Sequence, residues 1–537
     1  MTGSFGRFPG VVAVTFAAIA LFLAAACSPP APDGAYLNRG NGGEIKSLDP
    51  QFIDGQWESN IMGDLMMGLA TEDAAGHPIP GAAQSWTLSP DGKTWTFHIR
   101  NHRWSDGVPV TAQDFVFAWR RLLDPKTAAP YAYNMWVVKN AEKVSAGALP
   151  PSALGVRAPD DKTLVVQLEH PAAYLPELLM HQTAFPIPRH TYLKYGNAWS
   201  RPRNDVSNGA YKIGEWVPND HVTLVKNPLF YDAAHVKIQT VRYFNTPDAQ
   251  GALIRFRGHE LDTQNPYPAA QIGWLRANAP NTIKSVPYLG VDYIVANFKR
   301  KAFQDIRMRE ALSLAYNREA VAYKIRRVGE RPAYNMIPPG VANYPNTASL
   351  DFKAMPYAAR IEKARRLMRA MGYGPKHHFH MVYATSTNPD QRRAAAVVQQ
   401  MFAQIYIDMT ISSVEIAQHL QRMQQHDFDI ANAAWIADFN DASNFLDLLR
   451  TTADNNYGGY SNPQYDALMD KAQQTVDLKE RGRLMEQAEK LALSQYAWLP
   501  CYFLLTMDIV QPWVKGWIPN IRGFNRTRWL SIEGRPQ

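Results

Sequence analysis

The sequence predicts an α/β protein whose mixed sheets are distributed over more than one lobe. Three observations lead there. The chain has 537 residues, and a single hydrophobic core stops growing near ~250–300 residues, so two or three packed lobes are expected. Segments that alternate polar and apolar residues, as half-buried strands do, are interleaved with segments whose apolar residues recur at helical spacing. Hydrophobic residues at 46% and charged residues at 19%, with 33 Gly and 38 Pro, are ordinary globular values. They argue against a disordered, collagenous or coiled-coil chain.

From the N-terminus, the first feature is a targeting segment. Arg7 precedes a mainly apolar run from Val11 to Ala26, which ends at Cys27. A basic start, a short apolar core and small residues before a cut describe a secretory signal. The cysteine directly after the small residues resembles a bacterial lipobox, although Ala24 stands where Leu is commoner. The resemblance implies cleavage after residue 26 and acylation of Cys27, which would hold the mature protein at a membrane through lipid. A signal cleaved without acylation, or a single membrane anchor, stays open at this point. The proline-rich stretch from Ser28 to Gly34 reads as a flexible tether. No later stretch reaches the ~18 uninterrupted apolar residues that a bilayer span needs.

The body opens β-rich. Lys93 to Arg100 alternates after the turn Ser89-Pro90-Asp91-Gly92, and Thr163 to Leu168 is a strand-like run after Pro159-Asp160-Asp161-Lys162. His221 to Val225 alternates as well. Thr111-Ala112-Gln113-Asp114 has the form of a capping box and should start a helix through Phe115 and Trp119. Asp305 to Ala315 and Gln391 to Phe402 carry helical patterns. Phe428 to Ala431 is a candidate strand leading toward Trp435, and Leu499 to Leu505 is an apolar one. The latter holds Cys501, expected as a buried free thiol.

Few chemistries survive inspection. The two cysteines, Cys27 and Cys501, form no CxxC, which excludes a zinc ribbon, a thioredoxin-type site and a disulfide framework. Gly40-Asn41-Gly42 reads as a turn, because Ile45 stands where a dinucleotide fingerprint needs its last glycine. His259-Glu260-Leu261-Asp262-Thr263 lacks the second histidine of a zinc protease, and neither a P-loop nor GxSxG occurs. His377-His378-Phe379-His380 would put His378 and His380 on one strand face, but no carboxylate lies close in sequence. A solvated strand face is expected there rather than a metal site. The formal charge of +8 is spread along the chain, with Lys299-Arg300-Lys301 its densest run. Without a recognition motif, nucleic acid is not an expected partner. No catalytic residue, metal or cofactor is expected.

Several segments together resemble the bacterial extracellular solute-binding family that contains periplasmic oligopeptide receptors. They are Ser47-Leu48-Asp49-Pro50 with Glu58-Ser59-Asn60-Ile61, Trp95 to Arg100 with Trp104 to Phe115, and Asn208-Gly209-Ala210-Tyr211-Lys212. Asn297-Phe298 with Phe303 to Leu312, and Ala434-Trp435-Ile436-Ala437-Asp438-Phe439-Asn440-Asp441, complete the set. The resemblance runs from about residue 36 to the C-terminus. It implies a periplasmic-binding-protein fold of type II, a Venus flytrap of two lobes plus an inserted third domain. The implied division is residues 36–70 with 190–289 and 505–537 in lobe I, 71–189 in the inserted domain, and 290–504 in lobe III. The implied role is a monomeric periplasmic or extracytoplasmic lipoprotein that passes oligopeptides to the transmembrane subunits of an ABC permease, not an enzyme.

The resemblance also implies a site. The aspartate of its Trp-x-Ala-Asp motif pairs with the peptide α-ammonium, and the matching residue is Asp438, beside Trp435 and Asn440. Glu58 matches a segment that lines the cleft in relatives, though a surface carboxylate is an equal reading. Tyr293 and Phe503 are candidate aromatic walls, though core packing is an equal reading. Two departures stand out: Asn432 occupies the place of an Arg near the ligand, and Ile436 that of a disulfide cysteine. The first leaves the anchor for the peptide's carboxyl end open. Murein peptide, a metal chelate or haem remain alternative cargoes, and a peptidase an alternative class.

Overall fold

In a computed structural model, residues 35–53 and 55–536 are described. The signal, the tether to Gly34 and Cys27 fall outside the described residues. Three sheets organise the rest. The first holds six strands in the spatial order Ile509–Val510, Thr263–Gln264, Tyr36–Gly40, Thr240–Phe244, His221–Lys226, Tyr211–Val217. Tyr36–Gly40 runs parallel to both of its neighbours, so long connections must return the chain to it. The longest of these carries the four-stranded third sheet, Ala83–Leu88, Thr94–Ile99, Thr163–Gln167, Val156–Asp160 in spatial order. Its turns fall where Gly92, at φ +71°, and Asp160-Asp161 allow reversal. Period-two alternation buries Trp95, Phe97 and Ile99 on one face. The expected capping box exists: Asp114 Oδ2 accepts from Thr111 N at 2.9 Å, opening the helix Ala112–Leu122. That helix puts Phe115, Trp119 and Leu122 into one core shared with Leu37 and Val241 of the first sheet.

The second sheet has the order Arg331–Pro332, Leu499–Leu505, Pro287–Ala296, Ile430–Ile436, Phe379–Ser386, Ile407–Val414. Both of its faces are covered. Ile294 meets Met308, Ala364 and Phe402 from one set of helices. Val291, Tyr293 and Val295, pointing the other way, meet Tyr465, Met485 and Ala488 from another. The helix Pro389–Ala403, capped by Asn388 with Pro389 in its first turn, connects two parallel strands. Cys501 is a buried free thiol in the Leu499–Leu505 strand.

Two local expectations differ in detail. The strand expected from Phe428 starts at Ile430, because Asn297 Nδ2 already donates to the Phe428 carbonyl, and Asp429 Oδ2 accepts from Val382 N. His378 precedes the strand, and a carboxylate distant in sequence reaches both imidazoles. Asp408, the register partner of His380, lies 2.9 Å from His378 Nδ1 and 3.6 Å from His380 Nδ1.

Strand directions place the ends of Phe379–Ser386, Ile430–Ile436 and Leu499–Leu505 on one edge of the second sheet, with the start of Pro287–Ala296. In open α/β sheets this edge is where ligands bind. The chain passes between the first and second sheets twice, and the two passages are hydrogen-bonded to each other. Thr506 N donates to the Val286 carbonyl at 3.0 Å and Lys284 N to that of Asp508 at 2.9 Å.

Candidate functional site

Beyond Ile436 the chain turns through Ala437 to Asp441, and one side chain fixes the turn. Asn444 Oδ1 accepts from Trp435 Nε1 at 2.8 Å and from Asp438 N at 3.2 Å. Phe439 stacks on Tyr174 at 5.2 Å between centroids, 6° from parallel. Asn440 Oδ1 accepts from Ala342 N at 3.0 Å. Asp441 closes the turn on Arg481, at 2.6 and 2.9 Å.

Asp438 faces residues from the connection that carries the third sheet. His181 Nε2 is 3.9 Å from Asp438 Oδ1. Burial pushes this imidazole down to about 3, so it is neutral at pH 7 and supplies no charge. Tyr131 lies against His181 at 5.7 Å. Burial, then the Asp438 charge, pushes the Tyr133 phenol up, so it too stays neutral. Asn134 stands close enough to lower the pKa of Asp438, yet Asn134 Nδ2 and Asp438 Oδ2 are both buried without a hydrogen-bond partner among the described residues. Arg522 is the nearest cation acting on Asp438, but it pairs with Glu177 at 2.7 Å and reaches only the Asp438 carbonyl, at 3.3 Å.

The electrostatic result is a largely buried carboxylate with no counter-charge paired to it. Burial pushes Asp438 up to about 6, against the opposing pull of Asn444, Asn134 and Arg522. A carboxylate removed from water without a counter-charge is unfavourable by several kcal/mol. The site can gain that energy back from a cation small enough to enter and able to donate hydrogen bonds. Among the described residues, no group of three or more His, Cys, Asp or Glu side chains could hold a metal ion.

Trp435 and Asn440 come together with Asp438 on this turn; the other expected residues do not. Tyr293 is 2% exposed and packs on Trp498 at 5.5 Å between sheet and helices. Phe503 lies in the same core. Glu58 is buried and closes the capping box of the helix Gln56–Leu65, its oxygens accepting from Lys46 N at 2.7 Å and Gly55 N at 2.9 Å. Asn432 donates to both oxygens of Asp292 at 3.1 Å, and Gln391 donates to the same group at 3.2 Å. His181, Tyr133, Asn134 and Arg522 were not foreseen. They sit far from residue 438 in sequence, inside no motif.

Comparison with known proteins decides the family. The profile of bacterial extracellular solute-binding proteins, family 5 Middle, matches residues 77–457. The chain belongs to this family. The periplasmic oligopeptide-binding protein OppA of Salmonella typhimurium is 36% identical over 514 residues, covering 93% of this chain and 94% of the relative. Haemophilus influenzae OppA in complex with RPPGFSPFR superposes with a TM-score of 0.83 at 32% identity, covering 93% of this chain and 99% of that one. The Escherichia coli murein tripeptide binding protein MppA gives 0.85 at 30% identity, with the same coverages. The fold is therefore the family 5 receptor fold: two lobes around the first and second sheets, with a further domain around the third.

Proposed function

We propose that the protein is the solute-binding receptor of an ABC importer, capturing oligopeptides between its lobes with Asp438 as the anchor for the peptide α-ammonium. The observation that carries this reading is the buried, partnerless Asp438 Oδ2. A free amino terminus supplies a full positive charge and three N–H donors, and it marks the same end of every peptide whatever the length. Trp435 and Asn440 hold the turn on which the anchor sits. Backbone pairing reads the rest of a peptide without regard to sequence, and bridging waters adapt to its side chains. The relatives named for oligopeptides support this cargo. The likeness to a murein tripeptide receptor supports a second reading of the cargo, a murein peptide, served by the same carboxylate.

The division into 36–70 with 190–289 and 505–537, 71–189, and 290–504 is supported by the three larger sheets, each of which draws its strands from one of these parts. A receptor role fits the solute-binding relatives better than peptidase chemistry does. The same relatives favour a periplasmic location, and the Ala26-Cys27 junction favours lipid attachment.

Calorimetric titration with tri- to pentapeptides tests the reading. Free peptides should bind and raise the melting temperature, and their N-acetylated forms should not. Equal binding of both forms would remove Asp438 as anchor. A murein tripeptide that outcompetes all of them would assign the second cargo.

A further inference from the structure

In the first lobe, a cavity of about 250 Å³ opens between two stretches of chain. The connection between the strands His221–Lys226 and Thr240–Phe244 forms one wall, with Asp232, His235 and Lys237. The C-terminal segment forms the other, with Arg528, Trp529 and Ser531.

Arg528 is 8% exposed and only partly satisfied. Its Nη2 donates to the Glu72 carbonyl at 2.9 Å and to Thr71 Oγ1 at 3.3 Å. Its Nε is buried without a hydrogen-bond partner among the described residues. The Glu72 carboxylate, which could have neutralised it, is paired with Arg526. A buried cation left in this state is unfavourable, and an anion entering the cavity would complete it. Lys237, on the opposite wall, is exposed and pairs with no described carboxylate. Asp232 is the one carboxylate in the walls, and His235 Nδ1 engages it. Lys515, the register partner of Ser531, adds an ammonium on the neighbouring strand. Glu533 is exposed, lies outside the walls and accepts from the Ser531 hydroxyl at 3.2 Å.

The start of the described chain indicates which anion. The Ala35 carbonyl accepts from Gln239 N at 2.7 Å, two residues beyond Lys237. Ala35 stands eight residues after Cys27, a reach of at most about 28 Å when extended. Resting on the reading above that Cys27 carries lipid, we infer that this cavity binds the phosphate of an anionic phospholipid headgroup in the membrane holding that lipid. Arg528 meets the phosphate oxygens with its planar fork and Lys237 as a point charge. Trp529 lies under the Arg528 guanidinium, 4.5 Å from its ring centroid, and is half-buried. Its amphipathic ring suits the headgroup layer.

Vesicle sedimentation tests the cavity, with the chain from residue 27 carrying Cys27→Ser so that no acyl group contributes. The salt is set at about 0.15 M, where exposed charges more than ~8 Å apart are screened. Phosphatidylglycerol vesicles should bind the protein and pure phosphatidylcholine vesicles should not. The Lys237→Ala/Arg528→Gln double variant should lower the partition coefficient about tenfold. Lys299→Ala/Arg300→Ala, in the densest basic run, should leave it unchanged. Lys237→Glu, on an exposed side chain, serves alone if the first double variant does not fold, and should also weaken binding. Equal losses from both pairs would assign the binding to overall charge and overturn the inference. Absence of vesicle binding overturns it too. If inorganic phosphate then still raises the melting temperature of the parent, but not of Lys237→Glu, the cavity belongs to a free phosphate ion. None of these outcomes depends on acylation. An unmodified Cys27 in protein extracted from membranes, seen by mass spectrometry, would instead remove the lipid reading.

Discussion

Asp438 and Asp441 lie three residues apart on the same turn, and both are largely removed from water. Their surroundings differ in one respect. Asp441 receives both terminal nitrogens of Arg481, and Ser443 donates its N–H at 3.0 Å and its hydroxyl at 2.6 Å. Asp438 Oδ2 has no hydrogen-bond partner among the described residues, and Asn444, Asn134 and Arg522 only pull weakly on the carboxyl. Burial of a carboxylate therefore does not single out a candidate site, and neither does the lack of a counter-charge, since Asp292 is buried on amide donors without a paired charge; a carboxylate oxygen buried without any hydrogen bond does. Asp441 holds the turn together, and Asp438 is the group proposed above to meet the ligand.

Substitutions can break this distinction, and the largest effect belongs to the paired group. Asp441→Ala strands Arg481 in the interior and should reduce stability by ~3–5 kcal/mol, read from the urea midpoint. Asp438→Ala should instead weaken peptide binding by ~2–5 kcal/mol in calorimetry, with the melting temperature of the free protein unchanged or higher. Equal destabilisation by both would erase the contrast. Acidity sharpens it next. With its carboxyl pushed up to about 6 from the usual 3.8, the folded free protein keeps a proton that the unfolded chain has released between those values. Stability of the free protein should thus fall as pH rises from about 4 to 6, by up to ~3 kcal/mol from this group. Peptide affinity should move the other way and drop below pH about 6, because only the ionised carboxylate pairs with ammonium. Asp292 and Asp508, also pushed up to about 6 by burial, titrate in the same window, so the difference from Asp438→Asn isolates the anchor. The smallest effect is expected at Glu58. Glu58→Ala removes a capping box and should reduce stability by ~1 kcal/mol in a urea titration.

Much of this was legible beforehand, for physical reasons that differ by residue. Caps and turns are local, so Thr111 with Asp114, and Ser89 to Gly92, could be read without knowing the fold. The Trp435–Asn440 turn is contiguous, so its motif carried the position of Asp438, the proposed anchor. The surroundings of the anchor are not contiguous: His181, Tyr133 and Arg522 come from other parts of the chain, and no spacing rule links them to residue 438. Tyr293 and Phe503 illustrate a second limit. Helices cover both faces of their sheet, so alternation no longer separates a wall of the cleft from a wall of the core. Glu58 shows a third: a carboxylate three residues into a helix serves the helix's own N-terminus as readily as a ligand.

The two passages between the lobes run side by side, joined through Val286 and Thr506 and through Lys284 and Asp508. A ladder of this kind flexes across its width easily but resists sliding of one rail past the other. On the receptor reading proposed above, that would confine any relative motion of the halves to bending about the paired rails, with the turn carrying Asp438 kept on the side of His181.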